Sequence, residues 1–233
     1  ESGLNGQYLD MIGNSTMAGR CYNPRHAHPK GGGSFGPDGY RVLLQRLKRE
    51  NPDYPLTTEG TNEAYMDLLD GSIYCNSTTL ERLDAIPLFQ SIYHGNYAFF
   101  GNYAYPDGTR PWDPLWPPED RWKEEKPWHK LYPDQFYLEL GRTVAWGAQP
   151  MVCNIKENLF ADTELEAARR FMLDTARFYY ANREFLFDGQ MLAPSGFTCP
   201  SAPVNFLIRS IFTKERECKP RHAELPAVLH SCW

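Results

Sequence analysis

Short apolar segments that close on a polar residue and give way to helical patterns recur along residues 6–182, and this alternation constrains the fold more than any other feature. The stretch Gly6-Gln7-Tyr8-Leu9-Asp10-Met11-Ile12-Gly13 reads as a short buried strand, interrupted near its end by Asp10. After a polar loop, Pro37-Asp38-Gly39 starts a helix. Tyr40, Leu43, Leu44 and Leu47 form its apolar face, and Arg41, Arg46, Lys48 and Arg49 its solvated one. Residues 54–58 read as a second strand closing on Glu59-Gly60, and Asn62 caps a helix over 63–69. Residues 85–94 read as a third strand. The loop over 96–130, rich in Pro and Trp, is longer than an ordinary connection and so points to function. A helix over 133–142 leads into a fourth strand over 144–153. A long amphipathic helix then runs from Asp162 to Asn182, with Leu165, Ala168, Phe171, Met172, Ala176 and Tyr179 on one face.

Strand and helix in alternation predict an α/β fold: a parallel sheet with helical crossovers. The strand ends choose between an open sheet and a barrel. Asp10, Glu59, Tyr93-His94, and Trp146, Gln149 and Asn154 each fall where a predicted strand gives way to its loop. In a (β/α)8 TIM barrel every strand contributes to one site at that face. An open sheet concentrates its ligand at one switch point, normally with a glycine-rich phosphate turn. Gly31-Gly32-Gly33 follows no strand directly and lacks the spacing of a phosphate loop. The expectation is the C-terminal half of a (β/α)8 barrel over residues 1–193. Past Gly189, prolines punctuate short segments such as 206–211 and 227–230, so residues 194–233 read as the start of a β domain. Half a barrel in 233 residues reads as a piece of a larger polypeptide, whose remainder is then a partner of this one.

Composition narrows the ligand. A net charge of −5 and a pI near 5.7 argue against nucleic acid. No run approaches a membrane span, and no leader pattern opens the chain, which leaves the compartment undecided. Six scattered cysteines with no CxxC disfavour zinc knuckles and thioredoxin chemistry, and free thiols fit better than disulfides. The sequons at Asn14 and Asn76 matter only in a secreted eukaryotic protein.

Aromatics reach 14% of the chain. Sugar rings stack their C–H faces on Trp and Tyr, and their hydroxyls need planar polar partners. Tyr22, Asn23, His26, His28, Glu63, Tyr93, His94, Trp146 and Gln149 are the candidate substrate-binding residues, with Trp112, Trp116, Trp122 and Trp128 available to wall a groove or pin a loop. Asp10 and Glu59 stand on consecutive strands, and neighbouring strands lie about 4.8 Å apart. Two carboxyls about 5–5.5 Å apart suit a retaining glycosidase, and about 6.5–9.5 Å an inverting one. No Gly-x-Ser-x-Gly elbow supports acyl hydrolysis.

Several linked motifs carry a resemblance. Tyr8-Leu9-Asp10-Met11-Ile12-Gly13, Cys21-Tyr22-Asn23-Pro24-Arg25-His26-Ala27-His28-Pro29, Gly31-Gly32-Gly33 and Gly39-Tyr40-Arg41 begin the set. Leu56-Thr57-Thr58-Glu59-Gly60, Asp70-Gly71, Ile86-Pro87-Leu88-Phe89 and Trp146-Gly147-Ala148-Gln149-Pro150 complete it. Over roughly residues 6–196 the chain resembles a bacterial glycosidase-like family catalogued mostly as a domain of unknown function. That family is similar in plan to the endo-α-N-acetylgalactosaminidases and related α-glycosidases. The resemblance implies a (β/α)8 barrel followed by a β-sandwich. It matches Asp10 to the nucleophile on the fourth barrel strand and Glu59 to the acid/base, with Glu63 a competitor. It implies a carbohydrate substrate and no cofactor. Two alternatives stay open: a metal-dependent hydrolase using His26 and His28, and a non-catalytic carbohydrate-binding barrel.

Overall fold

The computed structural model describes residues 5–14, 19–73, 87–101, 115–121, 127–152, 155, 157–193, 196–207, 214–228 and 231–233. Expectations placed on Ser15-Thr16, Cys75, Asn76 to Thr78, Ala85-Ile86, Trp112, Trp122, Cys153-Asn154, residues 208–211 and residues 229–230 lie outside the described residues. The chain forms two compact units, residues 1–74 with 96–100, and residues 75–95 with 101–233.

The first unit is built on a parallel sheet. Strands β1 (Gln7–Leu9), β2 (Leu56–Glu59), β3 (Gly71–Ile73) and β4 (Ala98–Phe100) lie side by side in chain order. Every neighbouring pair is parallel. Helix α1 (Phe35–Glu50) connects β1 to β2, with acidic Asp38 in its first turn and Lys48 and Arg49 in its last, as the helix dipole favours. It turns Leu44 fully inward and half-buries Tyr40 and Leu47; Leu43, expected on the apolar face, is 42% exposed. Leu43 sits a residue too far round the helix from the Tyr40–Leu44–Leu47 stripe. Leu44, Leu56, Tyr65, Leu69 and Phe99 are the most deeply buried apolar side chains of this unit. The helix expected over 63–69 is shorter, a 3-10 turn over Glu63–Tyr65 that Asn62 caps by accepting from Ala64 N at 2.9 Å.

Charged side chains tie α1 to the sheet. Arg41 forks onto Asp67 at 2.7 and 2.6 Å and donates to the Ala64 carbonyl at 2.6 Å. Asp70 accepts from Lys48 Nζ at 2.6 Å and from Leu56 N at 2.7 Å, which fixes the start of β2. At Gly71 a Cβ would press on Ala98, the next strand across, so the close approach of β3 and β4 requires glycine.

The second unit is largely helical. It contains α2 (Leu88–Tyr93), α3 (Trp128–Leu131), α4 (Gln135–Ala145), α5 (Asn158–Ala161), α6 (Glu166–Ala181) and α7 (Arg183–Leu186). Asp162 opens the α6 region by accepting from Glu164 N at 2.8 Å, as its sequence position suggested. Phe136 and Leu140 of α4 pack with Ala168, Phe171 and Met172 of α6, and Val144 with Tyr179 and Leu186. Ala176, expected on the same face, is exposed.

Strands β5 (Ser201–Leu207) and β6 (Pro220–Pro226) pair antiparallel and pack Val204, Phe206 and Leu225 against Leu138 of α4. The Gln135 side chain supplies a substitute ladder rung, donating to Leu207 O at 2.8 Å and accepting from Leu207 N at 2.9 Å. Buried Asp120 is held between Lys214 at 3.0 Å and Arg216 at 2.7 Å.

Two expected strands are not strands. Within 85–94 the described residues form α2, with Pro87 at its N-cap. A short apolar run does not distinguish a strand from a buried helical turn, and a leading proline suits a helix start. Residues 144–145 end α4, and Trp146 to Pro150 form a turn and an extended piece. The strands that do fill the sheet, β3 and β4, have three residues each and show no period to read. Among the described residues, no helix is long and apolar enough to cross a membrane.

Candidate functional site

Parallel pairing puts the C-terminal ends of all four strands along one edge of the sheet, where Asp10 and Glu59 both lie. Leu9 and Thr58 are the last pair of the β1–β2 register, and Asp10 and Glu59 are the residues that follow them along the two chains. Their surroundings differ: Asp10 is exposed in the turn that leaves β1, while Glu59 is 5% exposed at the last position of β2.

The two strand ends are stapled together by groups that carry no charge. The Thr58 hydroxyl, fully buried, donates to Leu9 O at 2.7 Å and accepts from Gly13 N at 2.9 Å. The turn over residues 10–14 is thereby folded back on β2, with Met11 at φ 62°, a left-handed conformation uncommon for a side chain of this size. A Cβ at Gly13 would run into the Glu59 carbonyl, and one at Gly60 into the Asn14 side chain. Gly60 also holds φ 77° and donates to Ile73 O at 3.1 Å, which continues the β2–β3 ladder one step past Glu59. Asn62 closes the arrangement by donating to Gly13 O at 3.2 Å. Thr58, Gly13 and Gly60 hold this turn against β2, and the sequence reading did not single them out. A glycine directly after a polar strand end was the available signal.

Of the remaining candidates in this unit, Glu63 is exposed in the first position of the 3-10 turn. Tyr22, Asn23, His26 and His28 lie on the loop between β1 and α1. Reciprocal backbone bonds between Cys21 and Gly31, at 3.0 and 2.7 Å, close that loop. Gly31 at φ 100° and Gly33 at φ 109° turn the chain there, which accounts for the glycine run without a phosphate. Tyr22 stands 64% exposed. Asn23 accepts from Arg25 N at 3.0 Å and places its amide nitrogen 3.1 Å from His26 Nε2.

Tyr93, His94, Trp146 and Gln149 belong to the second unit, and the first three sit at helix ends rather than strand ends. His94 ends α2, is 9% exposed, and has its ring nitrogens 2.6 Å from Gly189 O and 2.9 Å from Leu186 O. Its ring also packs against Trp233. Gly147, at φ 79°, leaves room for both rings. Trp146 ends α4 beneath the Arg142 guanidinium, 4.3 Å from its ring centre. Gln149 accepts from Gly101 N at 3.0 Å through its backbone carbonyl. Among the loop tryptophans, Trp128 is buried in α3 and stacks on Tyr132, a packing role, while Trp116 is half-buried.

Residues 1–105 match the family model of a domain of unknown function (DUF6259). A curated protein of Bacteroides thetaiotaomicron, named "Putative glycoside hydrolase", is 35% identical over 103 residues, which is 43% of this chain and 15% of that protein. A second, from Monosiga brevicollis, "Putative glycoside hydrolase 22789", is 27% identical over 117 residues, 48% of this chain and 10% of that protein. The chain thus spans a small fraction of the length of the curated relatives it matches. No solved structure matches it. Across a little under half of the chain, the similarity is to a glycoside-hydrolase-like family whose domain has no established function.

Proposed function

We propose that this chain is part of a glycoside hydrolase that cleaves oligo- or polysaccharides with Asp10 and Glu59 as its catalytic carboxylates. The observation that carries the reading is the register. An exposed carboxylate and a buried one each follow the last pair of that register at the C-terminal edge of a parallel sheet, and the groups around them hold those two strand ends together. The exposed Asp10 acts as nucleophile or base toward the anomeric centre. Glu59, shielded from bulk water, hands a proton to the leaving oxygen. The α-glycosidase specificity of the endo-α-N-acetylgalactosaminidase type belongs to this proposal.

The strand order supports a part-barrel. The strands run β1-β2-β3-β4 without the reversal of order that marks a doubly wound sheet. On this reading the rest of the barrel and a β-sandwich come from the remainder of the polypeptide, and β5 and β6 begin the latter. A metal-dependent hydrolase is less well supported. The metal-capable group among the described residues contains His26 and His28 with Cys21, and neither Asp10 nor Glu59.

Reducing-sugar release from a panel of oligosaccharides tests the assignment on the full-length protein. Asp10→Ala and Glu59→Ala are each expected to lower turnover by about two to four orders of magnitude. Unchanged turnover in both variants would overturn it. Sugar binding without any turnover in the wild type would favour a carbohydrate-binding barrel instead.

A further inference from the structure

We propose that Cys21, His26 and His28 form a zinc site that clips the loop between β1 and α1. Their ligand atoms all lie within 4.8 Å of one another, and Cys21 Sγ is 3.2 Å from His26 Nδ1. Zinc bonds of about 2.0–2.3 Å in tetrahedral geometry place donor atoms roughly 3.3–3.6 Å apart. The Cys21–His26 pair is already near that spacing, and His28 has only about an ångström to close.

The surroundings are arranged as ligand surroundings usually are. His28 Nδ1 lies 2.9 Å from Pro29 O, and a carbonyl only accepts, so Nδ1 carries the proton and Nε2 offers its lone pair. The His28 ring stacks on Phe35, the first residue of α1, with centroids 3.9 Å apart and planes 8° from parallel. This stacking fixes the direction in which the ring points. Reciprocal backbone bonds tie Cys21 to Gly31, so the loop that carries the donors is already closed without metal. Asn23 bonds Arg25 N with its oxygen and so presents its amide nitrogen to His26 Nε2. Before metal binds, His26 therefore carries its proton on Nδ1, directed at the Cys21 sulfur.

Loading the site balances simply. The Cys21 thiol releases its proton to solvent as sulfur bonds the metal. The His26 proton moves from Nδ1 to Nε2, where the Asn23 amide gives up its bond and water takes its place at this exposed residue, and His28 keeps its proton. Three protein donors leave a fourth position for water. A mixed thiolate–imidazole set selects zinc over magnesium or calcium. The site concerns the conformation of the loop that follows Asp10 and does not depend on which residues are catalytic.

The test is titration of the reduced, metal-free protein with Co²⁺ as spectroscopic probe, followed by displacement with Zn²⁺. The expected result is a thiolate-to-cobalt charge-transfer band with visible bands of tetrahedral cobalt, in a one-to-one complex that zinc bleaches. Cys21→Ser is expected to abolish the charge-transfer band, and His26→Gln and His28→Gln each to weaken binding at least tenfold. All three variants alter a surface loop, and circular dichroism checks that they fold. No band in the wild type would overturn the proposal, as would a band that survives in Cys21→Ser and so reports another thiol.

Discussion

Replacing Thr58 by Val isolates the bond that staples β1 to β2. The side chain is fully buried, and Val preserves its volume and branching, so no cavity forms. What is lost is one hydroxyl with two partners, Leu9 O at 2.7 Å and Gly13 N at 2.9 Å. Leaving a buried backbone group without a partner costs about 1–3 kcal/mol. Gly13 is buried and bears the full penalty, whereas Leu9 is half-buried and recovers part of it from water. The expected loss is therefore about 2–4 kcal/mol in urea unfolding, with markedly faster hydrogen exchange at the Gly13 amide. Thr58→Ser keeps the hydroxyl and deletes one methyl, which costs roughly 1 kcal/mol. If Val proves no less stable than Ser, and the Gly13 amide stays protected, the staple is not what holds the turn after Asp10.

Other consequences follow from the same geometry. Burial pushes the hydroxyls of Tyr97 and Tyr179 up to about 12, and both are less than a tenth exposed. Between their ordinary value and about 12 the unfolded chain ionises while the native one does not. Stability is thus complete below pH ~10 and is expected to fall by roughly 2–3 kcal/mol per tyrosine as pH rises toward 12, measured by urea unfolding across that window. The Arg41 fork, by its hydrogen bond, holds the Asp67 carboxyl below its ordinary range. That contribution is present above the ordinary carboxylate pKa and lost as pH falls through the lowered one. A carboxyl-detected NMR titration should show Asp67 rise back to the ordinary carboxylate range in Arg41→Ala. Gln135→Met strips both Leu207 backbone groups of their partner, and thermal unfolding should report a loss of about 2 kcal/mol or more.

The legible parts of the sequence were those with a period or a cap. Helix α1, helix α6 with Asp162 before it, and the strand ends at Asp10 and Glu59 all fall close to where the pattern put them. The parallel sheet was readable as a class, but two of its members were assigned to the wrong residues. Gly71-Ser72-Ile73 and Ala98-Phe99-Phe100 are too short for alternation to show, and they are defined by their partners across the sheet. Leu88-Phe89 and Val144 have the composition of strands and fold as helix ends, where packing decides. His94 and Trp146 were drawn into the candidate site by those strand assignments and belong to helix termini. Cys21 went unnoticed beside His26 and His28 because no second cysteine marked it, and only the closing of the loop on Gly31 brings its sulfur to the histidine.

Leaving-group dependence tests the paired-carboxylate account most directly. A 2,4-dinitrophenyl glycoside departs without a proton, whereas an ordinary oligosaccharide needs one. The account predicts that Glu59→Ala in the full-length protein retains most of its kcat/KM, which reports the bond-breaking step, on the activated glycoside and loses it on the oligosaccharide, while Asp10→Ala loses both. Wild-type turnover by both variants on both substrates would contradict it.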